Sequence, residues 1–269
     1  MHDHLATILQ TKKTAVATLK EQLAQSPHSD LTKIFHGEIK NPNKKNIYQA
    51  LAYGSTVKVI AEIKRRSPAR GDFSPITDPL VLAREYIVGG ASAISVLTDS
   101  TAFGGSLDDL ATIAHATETI NLPLLRKDFL IDPIQIAESI LYGADMILLI
   151  VAALGDQLPS MLAAARQLNI PALVEVYQAE EIQQAIDAGA EIIGVNNRNL
   201  KTFATDTQSA FRLAEHLPQS AIKIAASGIF TPELAKQYHQ AGYAAVLVGE
   251  ALVKAKSPSK WIAACNQNI

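Results

Sequence analysis

The sequence predicts an α/β protein, a closed (β/α)8 barrel carrying an N-terminal helical extension. Three observations lead there. From Val57 onward, short β-branched apolar runs alternate strictly with helical patterns, and strands apolar on both faces belong to a parallel sheet covered by helices. Eight such units fit into roughly 215 residues, the scale of a closed barrel. A glycine-containing turn also recurs before every second strand, as GGASAI at Gly89, GADMI at Gly143, GAEII at Gly189 and GYAAV at Gly242. An open doubly wound sheet has no need of that even repetition, and the sequence holds neither a dinucleotide fingerprint nor a P-loop.

Residues 1–55 stand apart from the rest. Leu5, Ile8, Leu9, Val16, Leu19 and Leu23 recur at helical spacing, Pro27 stops the run, and Asn46 to Tyr53 can form a further short helix. This segment is expected to cover the barrel within one domain spanning residues 1–269. The strands follow as Val57–Lys64, Ala93–Thr98, Pro123–Lys127, Asp145–Val151, Ala172–Val176, Ile192–Asn196, Ile222–Ala226 and Ala245–Gly249. Between them lie helices such as Pro79–Val88, Leu107–Thr117, Pro133–Leu141 and Pro232–Gln240.

Composition narrows the function. With 269 residues and a formal net charge of −2, the chain has no electrostatic reason to seek nucleic acid or an anionic membrane. Cys265 is the only cysteine, which rules out an intrachain disulfide and a Cys-based zinc site and points to a reducing, cytoplasmic setting. The longest apolar run, Met146 to Leu154, is about half the ~20 residues of a membrane helix, and the N-terminus lacks the apolar core of a signal peptide. The seven histidines fall in the extension or on helices without ligand spacing, so no metal is expected. No nucleophile elbow is present either.

Ionisable groups close several apolar strands. In VIAEIKRRSPARG, Glu62 and Lys64 share one strand face while Val59, Ala61 and Ile63 take the other. Lys127 in PLLRKDF and Glu175 in LVEVYQAEE occupy the same kind of terminus, backed by Leu125 and Leu173. Arg126 and Asp128 face outward, toward the helices. In an arbitrary strand a structural ion pair would be the preferred explanation of Glu62 and Lys64, but here the pair opens a Pro- and Gly-bearing loop where barrels place their active sites. An inward lysine in an apolar barrel is costly unless it is used. NNRNL at Asn196 to Leu200 reads equally as an Asn-rich turn or as amides and a guanidinium holding a carboxylate. ASGIF and VGEAL end strands seven and eight with glycines, the place where barrels bind phosphate through backbone N–H groups.

With these motifs in hand, the chain resembles the indole-3-glycerol phosphate synthase family from about Leu51 to Val253. The resemblance is carried by AEIKRRSP, SVLTD with the following FGGS, LLRKDF, LVEV, GVNNRNL, SGI and VGEAL, and by the helical first segment. It implies a monofunctional carboxy-lyase that closes the indole ring of 1-(2-carboxyphenylamino)-1-deoxyribulose 5-phosphate with loss of carbon dioxide and water, and needs no cofactor. Lys127 then corresponds to the acid that polarises the ribulose carbonyl, and Glu175 to the residue handling protons at the anthranilate nitrogen. Glu62 and Lys64 assist the carbonyl chemistry and dehydration, and Asn196 orients the reacting groups. Ser67, Ser227, Gly228, Gly249 and Glu250 are expected around the phosphate. Phe103, Phe129, Leu148 and Leu247 would line the slot for the aromatic ring, with Arg198 nearby. A monomer or weak homo-oligomer is expected.

Three positions depart from the family pattern. Ala226 stands where a Glu commonly precedes the SGI serine, Tyr177 replaces a frequent His after VEV, and Ala69 a frequent Ser in the first loop. Only Ala226 falls in the expected mouth. The alternatives are another phosphate-binding barrel of the same pathway, the phosphoribosylanthranilate isomerase, and a catalytically weakened barrel kept as a binding partner.

Overall fold

The computed structural model describes residues 3–41, 45–68, 71–73, 76 and 78–267. Within them eight parallel strands close on themselves: β1 (Lys58–Ile63), β2 (Ala93–Leu97), β3 (Leu124–Lys127), β4 (Met146–Ile150), β5 (Ala172–Val176), β6 (Ile192–Asn196), β7 (Ile222–Ala226) and β8 (Ala245–Val248). Closure runs through β8 and β1, from Lys58↔Ala245 to Ala61↔Val248. Limits of β5, β6 and β7 coincide with the sequence reading, and the other strands end within one residue of it.

The two-residue period explains both apolar layers. On β1, Val59, Ala61 and Ile63 pack outward into the layer shared with the helices, whereas Ile60 joins Leu125, Met146, Leu148, Leu173, Ile192, Ile224 and Leu247 inside the barrel. Both faces are dry, so the strands read as nearly continuous apolar runs.

Helices α1 (His4–Gln25), α2 (Asp30–Phe35) and α3 (Ile47–Ala50) precede the barrel. The helices α4 (Pro79–Gly89), α5 (Ser100–Phe103), α6 (Leu107–Ala116), α7 (Pro133–Leu141), α8 (Val151–Leu154), α9 (Leu158–Gln167), α10 (Ala179–Asp187), α11 (Ser209–Leu213), α12 (Pro232–Gln240), α13 (Glu250–Lys254) and α14 (Pro258–Cys265) follow. Their starts are written locally. Asp78, Asp132 and Thr231 accept hydrogen bonds from the backbones of Leu80, Ile134 and Leu234, and each is followed by a proline whose missing N–H costs nothing in the first turn. The recurring turns end helices in the left-handed region, with φ of 84° at Gly143 and 95° at Gly242. At Gly143 a Cβ would also stand 2.6 Å from that of Ala114. Backbone shape and packing both require glycine there.

The N-terminal segment lies against the barrel as expected. Leu5 and Ile8 of α1 enter the same apolar cluster as the barrel interior. Helix α3 is shorter than the expected Asn46 to Tyr53, ending at Ala50. After β1 the segment expected as a Pro- and Gly-bearing loop instead pairs Arg66–Ser67 with Gly71–Asp72 in a short antiparallel ladder. At the other end α14 seats against α4, where a Cβ on Gly89 would come within 2.8 Å of the Ser259 backbone. Asn266 donates to the carbonyls of Gly89 and Gly90, 3.2 Å each. Among the described residues no helix is long and apolar enough to cross a membrane.

Candidate active site

The C-terminal ends of the strands open into one cavity that is continuous with solvent. Period-two alternation decides what enters it. On β1, β3, β5 and β6 the last inward positions are Glu62, Lys127, Glu175 and Asn196, and Lys64 follows Glu62 on the same face; all five line the cavity. Arg126 faces the other way, as expected from the same alternation, while Asp128, just past the strand end, also borders the cavity. Arg126 donates to Ser139 of α7 (3.2 Å) and pairs with Glu138 (2.9 Å), while Asp128 accepts from Thr98 (2.7 Å).

The ionisable groups form two linked pairs. Lys64 Nζ lies 2.9 Å from Glu62 Oε1, and Lys127 Nζ lies 3.4 Å from Glu175 Oε2. Lys127 is therefore inward but not alone. Asn196 donates from Nδ2 to the other oxygen of Glu175 at 2.9 Å, and its own Oδ1 accepts from the Arg198 backbone. Of the two readings of NNRNL, both apply to different residues. Asn196 holds a carboxylate, whereas Asn197 faces outward to the Ser227 carbonyl and the Tyr238 hydroxyl, and Asn199 caps a turn.

Charge in this mouth is set by competition. Burial alone would raise the Glu62 carboxyl, but Lys64, Lys127 and Arg198 outweigh it and hold the group below its ordinary value. Burial would lower the Lys127 ammonium, yet Glu175 and Glu62 together leave it raised. Both groups are thus charged at neutral pH. Asp128 and Glu250 also line the cavity but are paired outward, with Lys12 and Arg126 and with Lys254. Lys64, Lys127 and Arg198 then stand against Glu62 and Glu175, a positive surplus that favours an anionic ligand.

The apolar wall is built from two neighbouring loops. Phe103, at the end of α5, and Phe129, just after β3, present rings 6.2 Å apart and 26° from parallel. Leu148 and Leu247 also line the cavity. Opposite, Ser227, Gly228, Gly249 and Glu250 border the cavity from the loops after β7 and β8. Ser227 and Gly228 both take positive φ, 69° and 73°, which turns the backbone of this loop sharply. The Glu250 carboxylate is bound by Lys254 at 2.7 Å, which offsets a negative charge beside that rim.

Ser67 is placed differently from the expectation. Its side chain is buried in the hairpin and borders a separate depression between α1 and the hairpin, not the barrel mouth. Ala226 does line the mouth, in register between Asn196 and Leu247. Tyr177 borders an adjoining depression, and Ala69 lies outside the described residues. Sequence reading missed Phe73, whose ring lies 5.6 Å from the Lys64 ammonium and 5.2 Å from that of Lys254. An aromatic residue just after a basic loop was the available signal. Among the described residues no cluster of histidine, cysteine, aspartate or glutamate could hold a metal ion.

Comparison with known proteins agrees with this geometry. A family model described as Indole-3-glycerol phosphate synthase matches residues 5–265. A relative of that name from Kineococcus radiotolerans is 48% identical over 208 residues, covering 77% of this chain and 75% of its own. Another, from a Nocardioides species, is 50% identical over 208 residues, 77% of this chain and 78% of its own. Among solved structures, 3-hexulose-6-phosphate synthase from Salmonella typhimurium is similar with a TM-score of 0.63 at 15% identity, over 78% of this chain and 97% of that one. The 3-keto-L-gulonate-6-phosphate decarboxylase from Vibrio cholerae gives 0.61 at 17%, over 78% and 96%. Those two likenesses are of fold alone.

Proposed function

The chain belongs to the indole-3-glycerol phosphate synthase family, and from that premise we propose that its mouth performs the decarboxylating, dehydrating ring closure. The substrate is 1-(2-carboxyphenylamino)-1-deoxyribulose 5-phosphate. The observation that carries this reading is the convergence of Glu62, Lys64, Lys127, Glu175 and Asn196 beside a stacked aromatic wall, in one cavity.

The substrate's anthranilate ring lies against Phe103, Phe129, Leu148 and Leu247. Its phosphate meets the turns at Ser227–Gly228 and Gly249–Glu250, where backbone N–H groups supply donors. In ring closure the aromatic carbon bearing the carboxylate attacks the ribulose carbonyl carbon, and negative charge develops on the carbonyl oxygen. Lys127 serves that oxygen. Because Glu175 and Glu62 hold its ammonium charged, its first action is electrostatic polarisation, followed by proton donation as the charge builds. Carbon dioxide then leaves with its bonding electrons remaining in the ring system. Glu175, fixed by Asn196, handles the proton at the anilino nitrogen. Departure of the new hydroxyl as water needs an acid on one side and a base on the other, roles assigned to Lys64 and Glu62. No step requires a cofactor.

The same reading places the chain in the cytoplasm as a single functional domain, monomeric or weakly associating. Its one cysteine, Cys265, is buried and its thiol is pushed up to about 12 by that burial, consistent with no redox role. Incubation with the carboxyphenylamino ribulose phosphate should produce indole fluorescence with release of one carbon dioxide per product. A folded protein that yields neither would overturn the assignment and favour a barrel kept for binding.

A further inference from the structure

Lys12 belongs to none of the groups assigned above. It projects from α1, is 8% exposed, and places its ammonium 2.9 Å from Asp99 and 2.6 Å from Asp128. A lysine held this deep must have partners, and the two it has are not equivalent surface groups. Each organises a different loop of the mouth.

Asp99 follows β2 and caps α5, accepting from the backbones of Ala102 (2.6 Å) and Phe103 (3.3 Å). It thereby sets where the Phe103 ring stands. Asp128 immediately follows Lys127 and accepts from the backbone of Phe129 at 2.8 Å. Its other oxygen takes bonds from Thr98 (2.7 Å) and Arg126 (3.1 Å). One ammonium therefore closes a bridge between the loops that carry the two stacked rings. Removing its charge would leave Asp99 and Asp128 facing each other as like charges, with Arg126 compensating only the second.

We propose that Lys12 is a positioning residue: the ammonium on α1 draws the loops after β2 and β3 together and fixes the width of the slot that receives the substrate's aromatic ring. The inference rests on the function proposed above. Leu5 and Ile8, on the same helix face, pack into the cluster that contains Phe103 and Phe129, so the helix brings apolar cover and the ammonium to one place. The phosphate rim lies across the mouth, on the loops after β7 and β8, and is not touched by Lys12. Binding at the ring end should then depend on Lys12 while binding at the phosphate end does not.

The test compares Lys12→Met, Lys12→Arg and the double variant Lys12→Met/Asp99→Asn with the parent, all well below their melting temperatures. In Lys12→Met, KM should rise about tenfold, the size of a lost charge-assisted contact, with kcat changed less than about threefold. Competitive inhibition by inorganic phosphate should stay at the parent value. Lys12→Arg should restore most of the KM. The double variant removes the uncompensated buried like-charge pair, so it should recover thermal stability without recovering KM, and it serves if the single variant fails to fold. An unchanged KM in a folded variant would overturn the proposal, as would a parallel loss of phosphate inhibition, which marks general loosening. An inactive parent would instead remove the proposed function, and this inference with it.

Discussion

Gly249 offers the sharpest test of how tightly the mouth is built. Its position follows Leu247 on the inward face of β8, and its backbone, at φ −117°, lies in a region open to any residue. Alanine would therefore add one methyl group without backbone strain. That methyl would stand 2.3 Å from Glu62 Oε1 and 3.2 Å from Lys64 Nζ. Restoring ordinary van der Waals separation requires the Glu62 carboxylate to retreat by about 1 Å, and a displacement of that size in a catalytic group can cost about 10²-fold. The accompanying overpacking should lower stability by about 1–3 kcal/mol. Gly249→Ala should thus fold, melt several degrees lower and lose about two orders of magnitude in kcat/KM by indole fluorescence. Lys127→Ala in the same background should add less than it does in the parent, because the two pairs are coupled. Parent-like kcat/KM in Gly249→Ala would refute the claim that the Glu62–Lys64 geometry matters to the reaction.

Lys127→Ala alone should leave the fold intact and lower turnover by about 10²–10⁴-fold, the usual contribution of a positioned acid; near-parent turnover would remove it from the mechanism. Ala226→Glu should raise kcat/KM or leave it unchanged, since Lys64, Lys127 and Arg198 line the same cavity and can take up the added charge; a sharp loss would mean the pocket has repacked around alanine. Burial would raise the Asp128 carboxyl, but Arg126 and Lys12 hold it at about 2. A depressed folded-state value contributes stability that is fully present above the unfolded value near 4 and lost as pH falls toward 2. Urea unfolding across that window should show a steeper acid loss in the parent than in Asp128→Asn, and equal slopes would contradict the ion-pair account.

Most of the barrel was legible because its rules are local. Burial on both strand faces gives continuous apolar runs, and alternation then decides which side Glu62, Lys127 and Glu175 take. Convergence of those groups followed from the barrel topology. Contacts between distant segments were not legible in the same way. The Lys12 bridge to Asp99 and Asp128 needs residues widely separated in sequence, although a charged residue on the buried stripe of Leu5, Ile8 and Val16 was a visible anomaly. Helix α2 has only six residues, too few for a period to declare itself. Ser67 belongs to the phosphate only by resemblance, and nothing in RRSPARG marks the antiparallel pairing of Arg66–Ser67 with Gly71–Asp72.

Closure of the sheet by β8 against β1 has a consequence for biosynthesis. The ribosome delivers Glu62 and Lys64 well before Gly249, so the two sides of that contact are separated by nearly the whole barrel sequence. Until β8 emerges, β1 and β7 each present an unpaired edge, the usual template for strand addition between molecules. Helix α14, which seats on α4, arrives later still. A nascent or prematurely terminated chain therefore carries its aggregation-prone edges until β8 has been made.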